Sequence, residues 1–101
     1  MASTETLHKV KLFLRISHAA LDDDISSDID ACLSDLEMHG IADPKESDPL
    51  IYNAVKLYCK SLYTDDNAKS MEWLRRYEAL RDSLNMAEGY GWTAEEAGAN
   101  E

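Results

Sequence analysis

Residues 48 to 63 are Asp-Pro-Leu-Ile-Tyr-Asn-Ala-Val-Lys-Leu-Tyr-Cys-Lys-Ser-Leu-Tyr. Asp48 is placed to accept a hydrogen bond from the free amides of a first helical turn, and Pro49 suits the first helical position because it has no amide hydrogen and a preset φ. A helix over 49–63 is predicted. At about 100° per residue, Asn53, Lys56, Lys60 and Thr64 fall in one narrow polar wedge. The apolar residues Leu50, Ile51, Ala54, Val55, Leu57, Tyr58, Cys59 and Leu62 cover roughly two thirds of the circumference, with Tyr52 and Tyr63 at the wedge edge. One partner cannot bury so wide an arc. The stretch is therefore expected to be a central helix with neighbours on several sides and Tyr58 near its middle.

Three more helices are predicted around it. From Ser3 or Thr4 to Leu14, an apolar stripe of Leu7, Val10, Phe13 and Leu14 marks a short first helix over 4–14. Leu12 lies off that stripe, beside His8, Lys9 and Ile16, which makes it a candidate contact with another chain; a scattered surface leucine is the plain alternative. A second helix over 22–39 starts with Asp22 or Asp23 as its cap and buries Ile25, Ile29, Cys32 and Leu36. Gly40 fits the left-handed position after it, with Ile41 folding back on Leu36. Residues 42 to 47 form a polar loop in which Pro44 disfavours helix at Asp43. The fourth helix, over 67–87, repeats Trp73, Tyr77, Leu80 and Leu84 on one face and pairs Glu72 with Arg76 on the other. The expected fold is an all-α four-helix bundle built on its third helix. The helical domain spans 1–88, and residues 89–101 are expected to form a flexible tail.

The chain of 101 residues carries 20 acidic and 10 basic side chains, a formal charge of -10, which disfavours a phosphate-binding surface. No apolar run approaches the roughly 20 residues of a membrane span, and the N-terminal residues do not resemble a signal peptide, so a cytoplasmic protein is expected. Cys32 and Cys59 are accordingly expected as two buried thiols. The charge is unevenly spread: residues 21 to 48 hold ten carboxylates against the single cation Lys45. Asp22, Asp23 and Asp24 favour the positive end of a helix, whereas Asp30, Asp35 and Glu37 lie too far along it to gain in this way. On a helical wheel Asp24, Asp28 and Asp35 form one flank of the apolar stripe and Asp23, Asp30 and Glu37 the other. Three readings stay open at this point: a solvated face, a wall that repels DNA phosphates, or a surface that imitates DNA.

Chemistry has little foothold in the sequence. A calcium loop starting at Asp22 needs glycine where Ser27 stands and glutamate where Leu33 stands. His8, His18 and His39 fall on different segments, and His39, four residues after Asp35, suits a role at the helix end better than metal binding. No glycine-rich phosphate loop or nucleophile elbow is present. The expectation is a protein that is not an enzyme and uses no metal or cofactor.

Taken in order, Val10-Lys-Leu-Phe-Leu-Arg-Ile16, Asp22-Asp-Asp-Ile25, Ala54-Val-Lys-Leu-Tyr-Cys-Lys60 with Tyr63, Asp66-Asn67 and Tyr77-Glu-Ala-Leu80 resemble the head-tail connector proteins of long-tailed bacteriophages and prophages. These adaptors are often labelled DNA-packaging proteins, and the branch from prophages of Gram-positive bacteria is the most similar. The resemblance runs from Leu7 to about Tyr90. It departs from the family in the dense acid of the second helix and in the lack of an aromatic in that helix's second half. The family implies a helical bundle that forms a ring, twelve copies in the virion, between the portal protein and the tail-completion (stopper) protein. DNA passes through the ring without specific binding, and assembly takes place in the host cytoplasm. Core positions implied by the resemblance are Val10, Leu14, Ile25, Leu57, Tyr58 and Tyr77.

An acidic channel would agree with this, because DNA slides past carboxylates without adhering. The competing function is an acidic DNA mimic or protein-binding module without catalysis. Tyr90 and Trp92, flanked by glycines in an otherwise small and acidic tail, are candidate anchors for a partner; the alternative has Trp92 folding back over the end of the fourth helix.

Overall fold

The computed structural model describes residues 2–86, and the expected tail over 89–101, with Tyr90 and Trp92, lies outside the described residues. Four helices follow in order: α1 (Thr4–Leu14), α2 (Asp22–Met38), α3 (Pro49–Leu62) and α4 (Asn67–Met86). The described residues contain no strand, and the all-α bundle is as expected. α3 packs against each of the other three helices, which gives it the central place that its wide apolar arc requires.

Local sequence fixes most of the helix ends. Ser3 caps α1, its hydroxyl accepting the Thr6 amide hydrogen. Asp48 caps α3 by accepting from the Leu50 amide at 2.9 Å, with Pro49 behind it at the start of the helix. Asp66 precedes α4 and accepts from the Ala68 and Lys69 amides at 2.8 and 3.1 Å. After α2 the chain passes through Gly40 at φ 91°, a left-handed angle that glycine adopts without a Cβ clash. The Ile41 amide then donates to the Leu36 carbonyl at 3.0 Å, and Ile41 is fully buried, the expected ending of that helix.

The start of α2 differs from expectation. Leu21 occupies the cap position and makes no side-chain cap bond, while Asp22 is already helical. The Asp22 carboxylate is drawn instead to Lys11 of α1, with Nζ to Oδ1 at 2.7 Å, and Leu21 packs against the core. A contact between helices outweighs the local cap here.

The core combines one stripe from each outer helix with α3. Val10 and Leu14 come from α1; Ile25, Ile29, Cys32 and Leu36 from α2; Tyr77 and Leu84 from α4. Ile51, Ala54, Val55 and Cys59 of α3 meet them. Both cysteines are free and buried. Leu57 and Tyr58 are half-buried at the margin, not at the centre, and Tyr58 meets Tyr77 edge-on with ring centroids 5.1 Å apart.

Leu62 is a second correction, because it is 52% exposed despite lying in line with the apolar arc. The corner between α3 and α4 closes over its small neighbour. Ser70 Oγ donates to the Ser61 carbonyl at 2.6 Å, Ser61 is buried, and Leu62, one residue further round, is turned outward.

Candidate functional site: the acidic second helix

The stripe of Ile25, Ile29, Cys32 and Leu36 fixes how α2 is rotated, and that rotation decides where each carboxylate goes. Asp23 and Asp24 are exposed in the first turn, where the helix dipole favours negative charge, and Glu37 is exposed near the far end. Asp30 is half-buried. Asp28 and Asp35, two members of one sequence-predicted flank, point into the seams with α3 and α4.

Asp28 Oδ2 accepts from the Tyr63 hydroxyl at 2.7 Å. Asp35 serves more partners: Oδ2 accepts from the Tyr77 hydroxyl at 2.5 Å and lies 3.2 Å from Arg81 Nη1. Its Oδ1 lies 3.3 Å from His39 Nδ1, a nitrogen that is also 2.8 Å from the Asp35 carbonyl oxygen in the last turn. These carboxylates therefore tie α2 to both helices of the C-terminal half. The arrangement stabilises the protonated hydroxyls. Burial, reinforced by the hydrogen bond to Asp28, pushes the Tyr63 hydroxyl above its ordinary range. Burial likewise pushes up Tyr77, helped by nearby Cys32 and by its bond to Asp35. At Arg81 burial pulls the other way, but the bond and charge of Asp35 outweigh it and hold the guanidinium protonated.

The two thiols sit behind this network and are chemically quiet. Burial, followed by the charge of Asp28, moves Cys59 from 9.0 up to about 12, and burial moves Cys32 upward as well. The nucleophilic thiolate is thus disfavoured at neutral pH. Among the described residues no group of three His, Cys, Asp or Glu side chains could hold a metal ion. His39 occupies the helix-end position expected of it. No helix among the described residues is long and apolar enough to cross a membrane.

What remains for a ligand is a ridge of Asp23, Asp24 and Glu37 at the surface of α2, separated by the exposed small residues Ser27, Ala31 and Ser34. Leu12, on α1, is 64% exposed as its off-stripe position requires. The sequence reading did not foresee the partners of Asp28 and Asp35. Arg81 follows Tyr77 by four residues and so shares its face of α4, and this spacing was the available signal.

A second surface feature also went unforeseen. On the side of α3 that carries Asn53, Lys56 and Lys60, an open groove of about 420 Å³ is lined by Phe13, Asn53, Lys56, Leu57, Trp73 and Leu80. Phe13 of α1 and Trp73 of α4 meet edge-on across it at 6.2 Å. The Lys56 ammonium lies 5.1 Å from the Phe13 ring centre and 5.0 Å from that of Tyr52, and Lys60 lies 5.7 Å from Phe13. The polar wedge is thus a cationic rim around aromatic rings, not a bare solvated strip.

Comparison of the chain with protein-family models, with curated proteins and with solved structures gives no match.

Proposed function

We propose that this protein is a structural head-tail connector of a tailed phage or prophage, working as a ring below the portal through which DNA passes. The observation that carries the reading is the agreement between the ordered motifs and the core. Val10, Leu14, Ile25 and Tyr77, four of the positions that the resemblance assigns to the interior, are buried, and Leu57 and Tyr58 pack beside them. The exposed carboxylates of α2 support a lining that does not retain DNA, since attraction to phosphates is what slows its passage. In this reading the ring joins portal to stopper protein, has twelve copies in the virion, and has no catalytic step.

An acidic DNA mimic is the weaker reading because Asp28 and Asp35 are committed to Tyr63, Tyr77 and Arg81. They are poorly placed to stand in for a phosphate row. The experiment is a mass measurement of the purified protein alone and with the portal protein encoded beside it. Twelve copies bound per portal is the expected result. A portal that takes up none, or a chromosome with no phage head and tail genes nearby, would count against the connector.

A further inference from the structure

The groove between α1, α3 and α4 is apolar at its base and cationic at its rim in a chain whose net charge is -10. Two of its cations are uncommitted in the sense that matters for docking. Lys56 and Lys60 rest over aromatic rings and have no carboxylate partner among the described residues. Arg76 stacks on Trp73 at 4.9 Å while holding Glu72 at 2.9 Å. A fitting occupant presents a flat apolar group followed by negative charge.

The chain itself carries such a segment directly after α4. Residues 87 to 101 contain Tyr90 and Trp92, each next to glycine, then Glu95, Glu96 and Glu101, with no lysine or arginine. Length permits the return. Leu80 lies six residues before Met86, about 9 Å back along the helix at 1.5 Å per residue. Trp92 lies six residues after Met86, and six residues of extended chain span up to roughly 20 Å. Gly89 and Gly91 supply the backbone freedom that a reversal needs. Arg76 stands one turn beyond Leu80, in the direction in which Glu95 and Glu96 would follow.

We propose that this groove is the seat of the chain's own C-terminal segment, with Trp92 entering between Leu80 and Phe13 and the carboxylates of Glu95 and Glu96 against Lys56, Lys60 and Arg76. Tethering favours this occupant over a free peptide of the same composition, because the linked segment is present at a high effective concentration. The inference does not depend on the connector reading.

Full-length protein labelled with 5-fluorotryptophan tests it, since Trp73 in the groove and Trp92 in the tail are the only two tryptophans. The Trp92→Phe variant assigns the two fluorine resonances. A seated tail displaces the Trp92 resonance from that of the free amino acid, and ending the chain at Glu88 moves the Trp73 resonance, although Trp73 is thirteen residues before Met86. Both effects should be lost in the Glu95→Lys, Glu96→Lys double variant and should weaken at high salt. They should also persist unchanged through dilution. The altered residues all follow α4 in the sequence, and unchanged far-ultraviolet circular dichroism confirms that the four described helices remain. A Trp92 resonance at the free position, with Trp73 unmoved by truncation, overturns the proposal. So does a Trp73 shift that disappears on dilution, because the segment would then occupy the groove of another copy.

Discussion

Among the carboxylates of α2, Asp35 is the one whose loss this fold should tolerate least, because it answers Tyr77, Arg81 and His39. Asp35→Ala leaves the hydroxyl of Tyr77, a residue 1% exposed, without its acceptor. The expected cost is about 2–3 kcal/mol, the scale of a lost charge-assisted bond and a stranded donor. Glu37→Ala, two residues away but at the surface, should stay within about 0.5 kcal/mol. Urea unfolding midpoints measure both, and equal midpoints would refute a structural role for Asp35. A second expectation concerns alkaline pH. Burial raises Cys59 from 9.0 to about 12, so the folded chain holds that proton more tightly than the unfolded chain does. The associated stability is fully present below pH 9 and declines as pH rises toward 12, by about 1.4 kcal/mol per pH unit for that group. Tyr63 and Tyr77, also raised, add to the decline above pH 10. Unfolding midpoints between pH 8 and 11 should fall, and Cys59→Ala should flatten the first part of the slope; stability that rises over that range contradicts the burial of these groups.

At the level of the helices, what could be read from sequence was what depends on near neighbours. Asp48, Pro49, Gly40 and Ile41 are local signals, and each occupies its expected position. Leu21 and Leu62 were illegible because their places depend on other helices: Lys11 draws the Asp22 carboxylate away from capping, and Ser70 closes on Ser61. The same division runs through the acidic site. Charge density along α2 was plain in the sequence, whereas the commitment of Asp28 and Asp35 required the positions of Tyr63, Tyr77 and Arg81. Periodicity also placed Trp73 and Leu80 on the apolar face of α4 without revealing that they border a groove. A cap prediction follows directly. Asp66 supplies one oxygen to two amides at the start of α4, so Asp66→Ala should cost about 1 kcal/mol. Asp23→Ala, which removes only a favourable charge from a first turn, should cost a few tenths. Thermal melts of the two variants should separate clearly, and their coincidence would deny the cap at Asp66 any net effect.

For the molecule as a whole, charge and apolar surface make opposing demands on assembly. Copies that each carry -10 repel one another, so if the chain works as the proposed connector, association of its copies should strengthen as salt screens them. Light scattering that finds weaker association at higher salt would exclude this account. Leu12, 64% exposed on α1, is the apolar side chain to test: Leu12→Asp should leave the melting temperature unchanged and, under the proposed connector function, block ring formation on the portal. Virions that incorporate the variant normally would remove Leu12 from any interface. The central position of α3 bears finally on how the chain is born. The ribosome releases α1 and α2 first, yet much of the surface against which they bury belongs to a helix that begins only at Pro49. Until α3 emerges their apolar stripes lack that cover, whereas α3 and α4, joined by a short corner, can pair as soon as both are out. Nascent chains arrested before α3 leaves the exit tunnel should therefore remain open to proteases, and resistance should appear late and in a single step.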